Sequence, residues 1–172
     1  MKIIEAMKRI KANKEKLNDL QMKIAQNSAN LSYETPLYGD KTKEILAAIA
    51  QTCEDIVQDN AKLLVRISKT NLATSVTILL GEKAVAKSIA EWIWRRREYA
   101  VLDQKTWSLM TDRNLKEGTA PSTIPGGEPT KVSIVRNYDV QIRDAKIAMY
   151  KSEPHEIDAA LEVANAVTDL LD

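Results

Sequence analysis

Glycine and proline are scarce, five of each in 172 residues, about half of average usage. Few positions therefore interrupt a helix. Phenylalanine is absent, and three tryptophans and five tyrosines are the only aromatics, which disfavours an aromatic-rich β core and favours aliphatic helix packing. The single cysteine, Cys53, excludes an intramolecular disulfide, and beside the one histidine, His155, it cannot complete a four-ligand structural zinc site. Neither sign of charge is in excess: 25 Lys and Arg against 24 Asp and Glu give +1, so no large net field draws the molecule to nucleic acid or an anionic membrane. No run of ~18 apolar residues occurs, and the opening Met1-Lys2-Ile3-Ile4-Glu5 lacks the apolar stretch of a secretory signal. The expected location is the cytoplasm, or a bacteriophage particle assembled there.

What is present is helical periodicity. The expected class is all-α, with long antiparallel helical hairpins in a coiled-coil-like bundle, forming one elongated domain over residues 1–172. The first helix, about 2–31, carries Ile3, Ala6, Ile10, Asn13, Leu17, Leu20, Ile24, Asn27 and Leu31 at 3-4 spacing. At 1.5 Å per residue its ~28 residues span about 42 Å, more than the ~30 Å of a small domain. Asn13 and Asn27 interrupt this seam, where a buried Asn selects register or partner number and an outward one simply meets solvent.

Residues 32–40 hold turn formers, with Asp40 placed to cap a second helix over 41–73. Its stripe is Leu46, Ile49, Cys53, Ile56, Asn60, Leu63, Ile67 and Thr70. Small and β-branched polar residues over 70–77 predict a corner, with Thr77 capping a third helix over 78–113. Gly81 would weaken its first turns by about 1 kcal/mol. Residues 118–129 contain three glycines and three prolines and read as a loop.

After that loop, residues 131–136 alternate with β-branched side chains as a small β element. A lone strand needs a partner from the preceding loop or from another copy of the chain. Asp139 is placed to cap a final helix over 139–171, which keeps its apolar phase across Pro154 and so reads as one kinked helix.

Charge is distributed unevenly. Residues 1–31 hold seven bases and three acids, while from Glu153 onward there are six acids and no Lys or Arg. Opposed faces of this kind either dock on one another or on a charged partner, or are simply solvated.

No residue set reads as catalytic. Cys53 lies at helical spacing from Ile49 and Ile56, the setting of a small buried hydrophobe, and His155 follows Pro154 in an acidic, solvated stretch. Glu54 and Asp55 are adjacent, so they point to different helix faces. Neither Gly39-Asp40-Lys41-Thr42 nor Gly126-Gly127-Glu128-Pro129-Thr130-Lys131 matches a phosphate-binding loop. Arg95, Arg96 and Arg97 next to Trp92 and Trp94 allow nucleic-acid binding. The alternative is tryptophans packed between helices and arginines paired with carboxylates. No cofactor or metal is expected.

The strand at 131–136, Asp139-Val140, then Ile157-Asp158, Leu161 and Ala164-Asn165-Ala166-Val167-Thr168-Asp169-Leu170 together resemble the septicolysin-like bacterial proteins, a functionally uncharacterised family. Residues 67–74 are similar to that family's Asn-x-Thr-Asn-type corner, and Met1-Lys2-Ile3-Ile4-Glu5-Ala6 to its amino terminus. Asn71, Thr74, Asp139, Asp158, Asn165, Thr168 and Asp169 are the family-like positions. The chain departs from the pattern at Ala166, where an aromatic is usual, and at Pro154, where the helix is usually unbroken. The resemblance implies long helices with a small β element and brings no catalytic residues. The cytolysis in the family's name finds no sufficiently hydrophobic segment here.

The expected function is a non-enzymatic structural or assembly protein, a homo-oligomer joined through Ile3, Ile10, Leu17, Leu20 and Ile24 of the first helix and Val132 and Ile134 of the strand. A shell, neck or fibre component of a bacteriophage virion fits that description. The alternatives are a nucleic-acid binder using Arg95 to Arg97 and an enzyme of unassigned chemistry.

Overall fold

The computed structural model describes residues 1–81, 83–121 and 125–172. The elements in chain order are α1 (Ile3–Asn27), α2 (Thr42–Ala73), β1 (Ser75–Leu80), β2 (Lys83–Ser88), α3, β3 (Gly118–Ala120), β4 (Thr130–Val132) and α4 (Val140–Val167). Here α3 denotes residues 89–108, an α-helix Ile89–Trp94 that passes through a π-helical turn Arg95–Tyr99 into a second α-helix Ala100–Ser108. The protein is predominantly helical. It is not purely all-α, because β1 with β2, and β3 with β4, form two small sheets.

The chain gathers into two units. The first comprises Met1–Val76, Ala86–Ala90 and Ala160–Asp172, and the second Thr77–Val85 and Glu91–Ala159. The start of α1 and the end of α2 both meet residues 168–171: the Ile3 N–H donates to the Thr168 carbonyl at 3.1 Å, and the Leu171 N–H to Thr70 Oγ1 at 3.0 Å. The two helices therefore run in opposite senses. Ile3, Ala6, Ile10, Ile56, Leu63, Leu161, Ala164 and Leu170 are the buried apolar side chains at this junction. On α1 they recur at three and four residues, and on α2 the buried Asn60 completes that period between Ile56 and Leu63, so one face of each is committed inward.

The helix ends follow from local chemistry. α1 stops at Asn27 rather than at residue 31 because Asn27 Nδ2 donates to the Lys23 carbonyl at 2.8 Å and Ser28 Oγ to the Ala25 carbonyl at 3.2 Å. Of these carbonyls that of Ala25 is among the last four without a partner inside the helix. Asp40 does not cap α2. It lies in a 3-10 turn, Gly39–Lys41, in which Gly39 has φ +57° and Thr42 Oγ1 donates back to the Gly39 carbonyl at 2.7 Å.

The third helix is shorter than its sequence spacing predicts. Residues 75–80 and 83–88 are strands and the helix begins only at Ile89, so Thr77 caps nothing and Gly81 turns the chain with φ +61°. The alternation of Val76, Ile78 and Leu80, each more buried than the residues between them, is the period of a strand. Ile89 then starts its helix with its N–H on the Thr74 carbonyl at 3.0 Å.

In the second unit Trp92 is fully buried, with Ile78, Ala100 and Ile157 also buried. The expected strand at 131–136 is shorter and shifted: β4 is Thr130–Val132, antiparallel to β3 with Thr119 opposite Lys131. Its partner is the preceding loop, which pairs one edge of the strand within the chain. Of the expected loop over 118–129, residues 122–124 lie outside the described residues, and 118–120 form β3. Asp139 does cap α4, its Oδ1 accepting the Ile142 N–H at 3.0 Å, and Pro154 lies inside one continuous helix.

Candidate functional site

Four places concentrate polar side chains. The first is the seam between α1 and α2, where Asn13 Nδ2 donates to Asn60 Oδ1 at 2.8 Å and to Asp59 Oδ2 at 3.2 Å. Arg9 pairs with the same carboxylate at 2.9 Å. Asn60 is buried, and a matched amide pair in an apolar seam fixes which turn faces which. Asn27 donates locally, to the Lys23 carbonyl.

The second lies at the end of the chain. Lys2 Nζ donates to Asp169 Oδ2 and to the Val167 carbonyl, both at 2.7 Å, and Arg66 reaches Asp172 at 2.7 Å. The Lys2 ammonium holds the Asp169 carboxyl below the usual carboxylate range. Thr70 Oγ1 donates to the Arg66 carbonyl at 2.7 Å while accepting from Leu171. The Asn71 Oδ1 atom next to it is buried without a hydrogen-bond partner.

The third is in the second unit. Arg95 grips the buried Glu153 through Nε at 2.6 Å and Nη2 at 2.8 Å, and its Nη1 reaches Asp103 at 2.6 Å. Its guanidinium carbon lies 5.3 Å from the centre of the Tyr150 ring. The hydrogen bond to Glu153 holds the Arg95 pKa further above its already high value. Arg96 pairs with Asp158. Two of the three consecutive arginines are thus engaged by carboxylates, and Arg97 remains exposed. Trp92 is buried while Trp94 is half exposed.

These pairs account for four of the six acids from Glu153 onward: Glu153, Asp158, Asp169 and Asp172 each meet a base of the same chain. The acidic end is therefore largely neutralised internally, which weakens the argument for a charged partner.

A cleft of about 430 Å³ is lined by Thr111, Asp112, Asn114, Arg136, Tyr138 and Arg143, among others. Arg136 makes a two-toothed pair with Asp112 at 2.6 and 2.7 Å and holds its carboxyl below the usual range. Tyr138 Oη donates to Asp112 Oδ1 at 3.3 Å, and Arg143 Nη1 donates to the Met110 carbonyl at 2.9 Å and to Tyr138 Oη at 3.1 Å. Arg113 and Asn114 occupy the left-handed region, φ 55° and 59°, in a turn closed by the Leu115 N–H on the Asp112 carbonyl at 2.9 Å. Sequence reading missed the cluster because its members are brought together from 112 to 143. An ionised carboxylate clamped by arginine is a poor proton carrier, so the cleft reads as an ordering network around a turn.

The sequence-derived contact residues separate into groups. Ile3 and Ile10 are buried within the chain, Leu17, Leu20 and Ile24 are half-buried along α1, Ile134 is half-buried, and Val132 is exposed on β4. Among the family-like positions, Thr168 and Asp169 meet Ile3 and Lys2, Asp158 meets Arg96, Asp139 caps α4, and the Thr74 carbonyl accepts from Ile89. Asn71 and Asn165 are half-buried. Cys53 is a half-buried free thiol, and His155 is exposed.

A second apolar stripe on α2 escaped the sequence reading. Val57, Leu64, Val65 and Leu72 are 52%, 52%, 55% and 70% exposed, and with Ala61 they recur at 3-4 spacing about a third of a turn away from the buried stripe. Beside them a shallow, mainly apolar hollow is bounded by Ala61, Lys62, Val65, Arg66 and Asp172.

Among the described residues no helix is long and apolar enough to cross a membrane. No family model and no curated protein matches the chain. In structure it is similar to a functionally unknown conserved protein from Corynebacterium diphtheriae, with a TM-score of 0.58 and 16% identity over 99% of each chain. That likeness is one of fold.

Proposed function

We propose that the chain is a non-enzymatic structural protein that self-associates through helical seams. The observation that supports this is the second stripe of α2: a helix with one apolar face buried against its own chain still presents Val57, Ala61, Leu64, Val65 and Leu72 to solvent. Contiguous exposed apolar surface of this kind marks an interaction site. The first-helix set is less suited, because Ile3 and Ile10 are consumed inside the chain. Contact through α2 replaces it as the main seam, with the half-buried Leu17, Leu20 and Ile24 as an adjoining surface.

The finer reading is a repeated component of a bacteriophage particle, a shell, neck or fibre, since one contact repeated by symmetry builds such assemblies at low cost in sequence. The similarity of its motifs to the septicolysin-like proteins belongs to the same proposal. Sedimentation velocity and light scattering on the full chain at micromolar concentration test it. A dimer or larger species is expected. A monomer throughout the range, with no larger assembly in the native setting, overturns it.

A further inference from the structure

The geometry points to a second copy of this chain as the occupant of the α2 stripe, docked antiparallel with the two-fold axis passing close to Ala61. This rests on the self-association reading above and adds the partner surface, direction and register. Three observations carry it.

The stripe is self-complementary in part about its centre, with Leu64 falling opposite Gln58. Reversed about Ala61, Val57 falls opposite Val65, and Ala50 opposite Leu72, all exposed. An isologous contact needs such a match, because residue i must meet j while j meets i. The small Ala61 side chain at the centre allows the two helices to approach closely.

Charge favours the same arrangement. Beside the stripe of α2 the acid Glu54 lies before Ala61 and the bases Lys62 and Lys69 after it, all exposed, while Lys43 is a further exposed base at the start of the helix. Reversal about Ala61 brings Glu54 opposite Ser68 and Lys69, on the same flank of the seam. A parallel pair would set Glu54 against Glu54 and Lys69 against Lys69. Lys69 Nζ lies 3.4 Å from the Asp172 backbone oxygen, a contact long enough to leave its ammonium available to a neighbouring carboxylate.

The surface also has relief. The apolar hollow beside Ala61 and Val65, about 520 Å³, is a receptacle for side chains projecting from a facing helix, as knobs enter holes in helix packing. Symmetry supplies the hollow twice, once on each copy.

The test is a charge exchange combined with distance measurement on the full chain. Sedimentation equilibrium should show Glu54→Lys and Lys69→Glu each weakening the dimer about tenfold or more, and the double exchange in one chain restoring it. Spin labels on single cysteines placed at Lys62 or at Lys43, in a Cys53→Ala background, read the direction. An antiparallel pair holds the Lys62 labels close, within about 20 Å, and the Lys43 labels about 55 Å apart along the axis at 1.5 Å per residue. Circular dichroism verifies that each variant keeps its helix content. Short distances at both positions, or a dimer indifferent to the charge exchange and to Val65→Glu, overturn this inference while leaving self-association standing. A wild-type monomer overturns both.

Discussion

Glu153 accepts two hydrogen bonds from Arg95, at 2.6 and 2.8 Å, with its side chain only 3% exposed. The pair joins the π-helical turn of α3 to α4, one residue before Pro154. A π turn inserts one extra residue into the helical ladder, here closed by the Ala100 N–H on the Arg95 carbonyl, and it turns the arginine toward the acid. Removing the acid strands a partly buried cation whose other charged partner is Asp103. Glu153→Ala should therefore destabilise the protein by about 3 kcal/mol, and the double change Arg95→Met with Glu153→Leu by much less. Urea denaturation of the three proteins reads both values.

The Asn13 and Asn60 pair makes a separate prediction. Asn60→Ala leaves the Asn13 amide without its best acceptor in a half-buried seam and should cost about 1–2 kcal/mol, whereas Leu at both positions should be neutral or stabilising. If the pair sets the alignment of α1 on α2, the double Leu protein should keep its stability and lose sharpness. A broader spread of methyl NMR signals with unchanged helical circular dichroism is the expected result.

Much of the helical framework was legible, and the reason is local. α2 follows its 3-4 stripe from Thr42 to Ala73, the corner after Thr70 falls where small polar side chains compete for the backbone, and Asp139 caps α4 as its residue type predicts. The strands at 75–80 and 83–88 were misread because Val85, Ile89 and Trp92 happen to keep helical spacing across a strand end. Val76, Ile78 and Leu80 with Gly81 carried the competing signal. That the arginines at 95–97 could meet carboxylates was legible, but the distant partners were not: Arg95 and Glu153 are 58 positions apart, and Asp112 meets Arg136 from beyond β3 and β4. The exposed stripe of α2 was visible in principle, at Val57, Ala61, Leu64 and Leu72, but the neighbouring core stripe has the same period and masks it.

The Lys2 and Asp169 contact should make stability fall in acid. The Asp169 carboxyl is held below its ordinary value chiefly by the hydrogen bond from Lys2. A carboxylate whose folded pKa is depressed contributes fully above the unfolded value, about 3.9, and loses that contribution as pH falls through the folded value. Wild type should therefore exceed Asp169→Asn in melting temperature at pH 6, and the gap should close toward about pH 2. A gap that stays constant over this range would show that the charge of Asp169 adds nothing to folding.

Pro154 provides the last test, because it sits inside α4 where a donor is missing and the ring crowds the preceding turn. The helix nevertheless continues, with Glu153 and Ile157 both buried on the same side, so packing outweighs the local cost. Replacing Pro154 with Ala restores a backbone N–H facing the Tyr150 carbonyl and removes the crowding. Pro154→Ala should raise stability by about 1 kcal/mol or more, up to the ~3 kcal/mol interior cost of proline, without altering helix content. If it instead lowers stability, the local backbone that Pro154 fixes is what aims Glu153 at Arg95. In that case the loss should disappear in the Arg95→Met, Glu153→Leu background, where there is no ion pair to aim. Thermal melts of the four combinations separate the two outcomes.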